Sequence, residues 1–246
     1  MILEVKNLKK SFGGIKAVQG VTFSVKRNEV SSIIGSNGAG KTTLFNLITG
    51  KLMVDEGEIL FNGRDISHLT PYEICHRKVG RSFQITNIFP RLSVFENIQI
   101  SILSAQGKLK NIFSPARRYV QEETMELLKS LGLEKKRDVP GGLLAHGDQK
   151  RLDIGISLAN RPEILFLDEP TAGMSPEETM MTTELVKQLA KDRSMTVVLI
   201  EHDMKVVFNI SEVVRVMHQG ELIAEGSPEE IRSNERVQQI YLGEQA

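Results

Sequence analysis

The eight residues Gly35-Ser36-Asn37-Gly38-Ala39-Gly40-Lys41-Thr42 constrain this chain more than any other stretch. They match G-x-x-x-x-G-K-[ST], and their setting is right for it. An apolar run ending at Ile34 precedes them, and a helical pattern over residues 41–49, stopped by Gly50, follows. Glycine backbone can fold around an anion so that several N–H groups converge on it. The helix N-terminus adds partial positive charge. Residues Gly35, Ser36, Asn37, Gly38, Ala39, Gly40, Lys41, Thr42 and Thr43 are therefore the expected contacts of a nucleotide's phosphates. Lys41 would reach the β- and γ-phosphates, and the Thr42 hydroxyl would hold Mg²⁺.

A strand–loop–helix unit of this kind needs a parallel sheet around it, and the rest of the chain supplies one. Residues 2–8, 21–25 and 30–34 are rich in β-branched or alternating apolar residues and read as strands. Residues 57–61 run into Asn62-Gly63, a two-residue hairpin signal, and then into 64–66. Residues 164–167 and 196–200 are short apolar strands separated by a helix starting at Pro176. Four capping boxes mark helix starts, at Thr70–Glu73, Ser93–Glu96, Ser175–Glu178 and Ser227–Glu230. The middle is helical: Val120, Thr124, Leu127, Leu128 and Leu131 share one face, and Gly132 can end that helix. Residues 106–114 are polar and read as a loop or insertion.

A phosphate loop alone does not choose among kinases, GTPases and motor ATPases. Ile164-Leu165-Phe166-Leu167-Asp168-Glu169 narrows the choice. The apolar strand puts Asp168 at its C-terminal edge, where parallel sheets bind ligands. Asp168 is then placed to hold Mg²⁺ through water, and Glu169 to polarise an attacking water.

Composition excludes other classes. Of 246 residues, 40% are hydrophobic and 25% charged, enough for a packed core. The 31 Lys+Arg balance 31 Asp+Glu, which argues against bulk nucleic-acid binding. The single cysteine, Cys75, allows no intrachain disulfide. No apolar run approaches the ~18 residues of a membrane span. Glu4 and Lys6 interrupt the place where a signal peptide would be apolar. The expectation is a soluble, cytoplasmic protein. His68, His76 and His218 form no metal-ligand spacing and are expected at the surface.

With both motifs in hand, the chain resembles the ATP-binding subunit of ABC transporters over nearly all its length. The resemblance implies a P-loop NTPase α/β fold: a RecA-like parallel-sheet core, an antiparallel β subdomain and an inserted α-helical subdomain. It implies one ATP-binding domain, with 1–86 and 160–246 as the core and 87–159 as the helical signature subdomain. It assigns Phe12 to stack on adenine and Val18 to pack beside that ring. It assigns Gln84, after a strand over 79–83, to touch Mg²⁺ and water and to sense a membrane subunit. Residues 144–149 occupy the signature position, where Ala145 and Gly147 would face a nucleotide bound by a second subunit. Residues 172–175 are the D-loop, and His202 is the switch histidine that contacts the γ-phosphate. Taken singly, Phe12 reads as a core aromatic, Gln84 as a loop residue and His202 as a strand-end histidine. Their order around two strong motifs reverses that reading.

At subfamily level the chain is similar to the longer, LivG-type ATPase of importers for branched-chain amino acids. Ser11-Phe12-Gly13-Gly14, Ala172-Gly173-Met174-Ser175-Pro176, the run Ile200 to Lys205 and the ending Tyr241-Leu242-Gly243-Glu244 carry this resemblance. So does the extended segment between Gln84 and the signature. It implies Glu169, His202, Lys41 and Gln84 as catalytic residues and Thr42, Gln84 and Asp168 as Mg²⁺ holders. It implies a second ATP-binding subunit closing over two ATP–Mg²⁺, integral membrane permease subunits, and indirectly a solute-binding protein. The chain would then sit on the cytoplasmic face of a membrane. Residues 85–91, with apolar Ile88 and Phe89, would line the permease groove.

Two departures stand out. The family's Leu-Ser-Gly-Gly-Gln signature is here Leu144-Ala145-His146-Gly147-Asp148, so the serine hydroxyl is missing. Asp148 is expected to place negative charge near a phosphate, at a cost of about 1 kcal/mol, with His146 compensating. Ser175 replaces the usual D-loop aspartate. Competing readings are another ABC importer or exporter, and a soluble ABC-type ATPase acting on nucleic acid or ribosomes. The latter would have two cassettes or a coiled-coil insertion, and neither occurs. A GTPase would need Asn-Lys-x-Asp, which is absent.

Overall fold

The computed structural model describes residues 1–82, 87–107, 116–192 and 194–242. Two sheets organise them. The first is antiparallel and four-stranded, with order β2-β1-β4-β5: β1 (Leu3–Phe12), β2 (Ile15–Val25), β4 (Glu56–Phe61) and β5 (Arg64–Asp65). The second is six-stranded, with order β10-β9-β3-β8-β7-β6. Its strands are β3 (Val30–Ile34), β6 (Val79–Arg81), β7 (Ile164–Asp168), β8 (Thr196–Ile200), β9 (Val213–His218) and β10 (Glu221–Gly226). All its pairings are parallel except the β9–β10 hairpin.

Period-two alternation between two covered faces explains why β7 is apolar from Ile164 to Leu167 and β8 from Val197 to Ile200. Ile164, Phe166, Val198 and Ile200 face the core shared with the antiparallel sheet and helix α1 (Lys41–Ile48). Leu165, Leu167, Val197 and Leu199 face the opposite layer. That layer holds helices α3 (Val94–Ala105), α4 (Ala116–Ser130), α5 (His146–Leu158) and α6 (Pro176–Asp192). On the first face Phe45 of α1 meets Phe166 edge-to-face, with ring centroids 5.1 Å apart. This contact seats α1 on the strand that carries Asp168. The shorter helices are α2 (Pro71–His76), α7 (Met204–Ile210) and α8 (Pro228–Ser233).

The local signals act as their chemistry requires. All four capping boxes close reciprocally, including Ser175 with Glu178. Asn62 and Gly63 both have positive φ (50° and 72°), the geometry of a type I′ turn. Gly50 ends α1 at φ 70°, where a Cβ would lie 2.5 Å from the Leu69 carbonyl oxygen. Segment 87–159 holds α3, α4 and α5 and no named strand among the described residues. Residues 108–114 of the expected insertion and Pro115 lie outside the described residues, as do Phe83 to Thr86. The strand expected over 79–83 is described only as Val79–Arg81.

Several elements differ from expectation. β1 and β2 run on to Phe12 and back from Ile15, beyond the strands expected over 2–8 and 21–25. Register shifts at Val5/Leu8, Leu8/Lys9 and Lys10/Ser11 break their alternation, so the pattern fades although pairing continues. The β9–β10 hairpin and α7 carried no strong signal in the sequence.

Candidate nucleotide and magnesium site

The phosphate loop closes on itself around its lysine. Lys41 Nζ donates to the carbonyl oxygens of Gly35 at 2.7 Å and Ser36 at 3.0 Å. Burial pushes the Lys41 pKa down, and the negative charges of Glu169 and Asp168 oppose that fall. Gly40 caps α1 in the left-handed region at φ 99°. A Cβ there would lie 2.3 Å from the Ala17 carbonyl oxygen, and one at Gly35 would lie 2.3 Å from that of Met217. The loop is therefore wedged between β2 and β9, which only glycine permits.

A groove of about 730 Å³ opens over it. Residues 37–43 form its floor, Glu169 and His202 one wall, and residues 14–17 with Gln19 and Gln219 the other. Thr42 and Thr43 are both in it. Glu169 follows β7 with φ 50°, an uncommon conformation for a non-glycine residue, and its N–H donates to Ile200 O at 3.0 Å. His202 Nε2 lies 2.8 Å from Glu169 Oε1. Beneath them Glu201 accepts from the Thr171 N–H and hydroxyl and from the His202 N–H. Burial raises its pKa against those bonds. Nothing in the sequence singled Glu201 out.

Asp168 is 2% exposed, and burial raises its pKa, opposed by Arg81. Its Oδ2 pairs with Arg81, while Oδ1 is buried with no hydrogen-bond partner among the described residues. A buried, bare carboxylate oxygen beside a phosphate loop fits a hard divalent cation. Asp168 and the Thr42 hydroxyl are the described residues that would hold it.

Phe12 ends β1, exposed at the hairpin, with Lys10 Nζ 5.6 Å from its ring centroid. It does not line the groove; Ile15 does. Val18 is 1% exposed and lies inside the core. Gln84 lies outside the described residues.

The signature stands apart from this groove. Ala145 caps α5 with no side-chain bond. A Cβ on Gly147 would lie 2.7 Å from Glu178 Oε1. Asp148 differs from expectation: it is 3% exposed and paired with Lys136 and Arg151. Its charge is balanced inside the fold by these two cations. His146 turns a ring nitrogen to the Ala172 carbonyl oxygen at 3.1 Å, joining signature to D-loop within one chain. Ser175 serves the α6 cap. His68 and His76 are exposed as expected, but His218 is half-buried with Nδ1 sealed and unpartnered. Among the described residues no cluster of His, Cys, Asp or Glu forms a metal cage, and no helix is long and apolar enough to cross a membrane.

Comparison with known proteins follows the same lines. The family profile described as "ABC transporter" matches residues 18–172, and that of "Branched-chain amino acid ATP-binding cassette transporter" matches residues 221–246. The high-affinity branched-chain amino acid transport ATP-binding protein BraF of Pseudomonas aeruginosa is 41% identical, over 99% of this chain and 98% of its own length. LivG of Salmonella typhimurium, described in the same words, is 40% identical over the same shares. Among solved structures, an ABC-transporter cassette in its ADP conformation superposes with TM-score 0.85 at 33% identity, covering 98% of both chains. A dimeric cassette bound to ADP and Pi superposes at 0.78 and 29% identity, covering 92% of this chain and 98% of its own.

Proposed function

This chain belongs to the ABC transporter family, and from that premise we propose that it energises import of branched-chain amino acids. That it is an ATP-binding, ATP-hydrolysing transporter subunit follows from the family itself. The cargo is inferred from the names of its relatives and from the matched C-terminal segment.

One observation carries the site assignment: the phosphate loop, Glu169 and His202 line the same groove. Lys41 exchanges its loop carbonyls for phosphate oxygens, which costs little because the ammonium is already desolvated. Glu169 is the general base or water-positioner, and His202 holds it and reaches the γ-phosphate. Thr42, Asp168 and Gln84 serve the cation. When bound, Mg²⁺ offsets the phosphates' negative charge. The base side is the wall formed by Ile15, next to the hairpin tip that carries Phe12, and Val18 supports that strand from the core. Ala145 and Gly147 belong to a second site, completed when two subunits close face to face. ATP binding drives that closure and hydrolysis releases it. The motion passes to permease subunits at the cytoplasmic face of the membrane through Gln84 and residues 85–91. A groove there is lined by Tyr72, Cys75, Asn87, Phe89, Ile100 and Ile156, between α2 and the helical layer.

The test is Glu169→Gln. Hydrolysis should fall by about 10²–10⁴-fold, the usual worth of a positioned base. With ATP the variant should elute as a dimer in size exclusion. A monomer hydrolysing at the unaltered rate overturns the mechanism. The importer reading is tested by isolating the chain from its own membranes: recovery with permease subunits supports it, and recovery only with ribosomes or DNA ends it.

A further inference from the structure

Arg81 stands where three parts of the fold meet. It ends β6, and its side chain is 8% exposed. Nη1 donates to Asn46 Oδ1 at 2.8 Å and to Thr49 Oγ1 at 2.6 Å, on and just beyond α1. Nη2 donates to Asp168 Oδ2 at 3.2 Å. Its main-chain carbonyl oxygen accepts from Ser157 Oγ of α5 at 2.8 Å. The anchor is itself fixed, because Thr49 gives its own hydroxyl proton to Phe45 O at 2.7 Å and turns a lone pair to the guanidinium.

The two oxygens of Asp168 are therefore unequal. Oδ2 is clamped, while Oδ1 is buried without a hydrogen-bond partner among the described residues. A carboxylate held by one oxygen presents the other in one direction. The clamp is referred to α1, the helix whose first turn carries Thr42. We propose that Arg81 is a positioning residue for the divalent cation, its planar fork fixing Asp168 against α1 so that Oδ1 and the Thr42 hydroxyl form a preset pair. This rests on the nucleotide reading of the groove. Outer partners of this kind orient metal ligands, and their loss typically weakens metal binding by about 10–100-fold. A lysine cannot replace the fork, because one ammonium cannot span Asn46, Thr49 and Asp168 in fixed geometry.

The experiment measures Mn²⁺ binding by electron paramagnetic resonance, and binding of a fluorescent ATP analogue with and without cation. In the unaltered protein the cation should tighten analogue binding. If it does not, the nucleotide reading fails and this inference with it. Given that control, Arg81→Met and Arg81→Lys should both raise half-saturating Mn²⁺ by about 10–100-fold. Cation-free analogue binding should stay within about twofold, since the bonds described for Arg81 run to Asn46, Thr49, Asp168 and Ser157 rather than to residues 35–42. Unchanged or tighter Mn²⁺ binding overturns the inference. So does an equal loss of cation-free binding, which marks a merely structural role. Should Arg81→Met fail to fold, Asn46→Leu with Thr49→Val decides. It keeps the Arg81–Asp168 pair and removes its reference to α1, so Mn²⁺ affinity should still fall by about 3–10-fold. No change there overturns the proposal.

Discussion

Asp148 shows how one residue's surroundings decide its meaning. Read along the sequence, it is an acid in the first turn of a helix whose N-terminus faces a phosphate. In the fold it is buried between Lys136 and Arg151, with the Lys136 side chain half exposed and that of Arg151 mostly covered. Asp148→Asn should therefore leave two cations short of a partner and cost about 1–3 kcal/mol of stability, seen in denaturant unfolding. It should not tighten ATP binding, as relief of phosphate repulsion would. Legibility at this scale follows sequence distance. Lys41, Asp168 and Glu169 announce themselves because their chemistry is bound to contiguous motifs. Arg81, Lys136 and Glu201 do not, because each acquires its role from a partner brought near only by folding: Asp168, Asp148 and Thr171.

At the scale of elements, α5, like α1, starts without a side-chain cap. The helices starting after Thr70, Ser93 and Ser227 close reciprocal capping boxes, whereas Ala145 offers α5 no side-chain acceptor. Ala145→Ser should supply one and stabilise the chain by about 0.5–2 kcal/mol. For a domain of this size that raises the melting temperature by roughly 2–4 °C per kcal/mol, measurable by calorimetry. The capped helices and the apolar strands β7 and β8 were legible because their signals are local. The far ends of β1 and β2 were not. Those strands hold together by pairing across Phe12↔Ile15 and Lys10↔Val18, through register shifts that scatter the apolar residues. β9 was obscured for another reason. Arg215 interrupts its apolar run, yet it is 1% exposed, paired with Glu29 and Glu225 and stacked on Phe23. A charge that reads as a surface residue is here part of the interior.

Over the whole molecule, acid stability involves carboxylates spread over strands, turns and helix starts. Asp55, Asp65, Glu73 and Glu163 are held below their ordinary values chiefly by side-chain hydrogen bonds from Lys10, Ser67, Thr70 and Arg27. Glu178 is held down chiefly by the Ser175 N–H. A depressed folded-state pKa gives stability that is whole above the unfolded values of 3.8 and 4.5 and lost as pH falls through the folded ones. Asp168 and Glu201, raised by burial, act in the opposite sense. The five lowered groups should make the melting temperature fall as pH is lowered from about 5 to about 3, with Asp168 and Glu201 opposing that fall. A melting temperature that stays constant or rises over that range would overturn a net acid loss from these five groups.

The wedge at Gly35 and Gly40 has a consequence for how such a chain tolerates change. Met217 and Ala17 crowd two of the loop's glycines through their carbonyls, while a Cβ on Gly38 would meet nothing within 4 Å. The hairpin tip holds the arrangement: Gly220 N–H donates to Ala39 O at 3.0 Å, and Gln19 N–H to Gly220 O at 2.8 Å. Residues near 17, 40 and 220 thus inherit one another's geometry. A lineage in which the terminal hairpin drifts must carry the loop with it, so drift in the last thirty or so residues is limited by what the first forty allow.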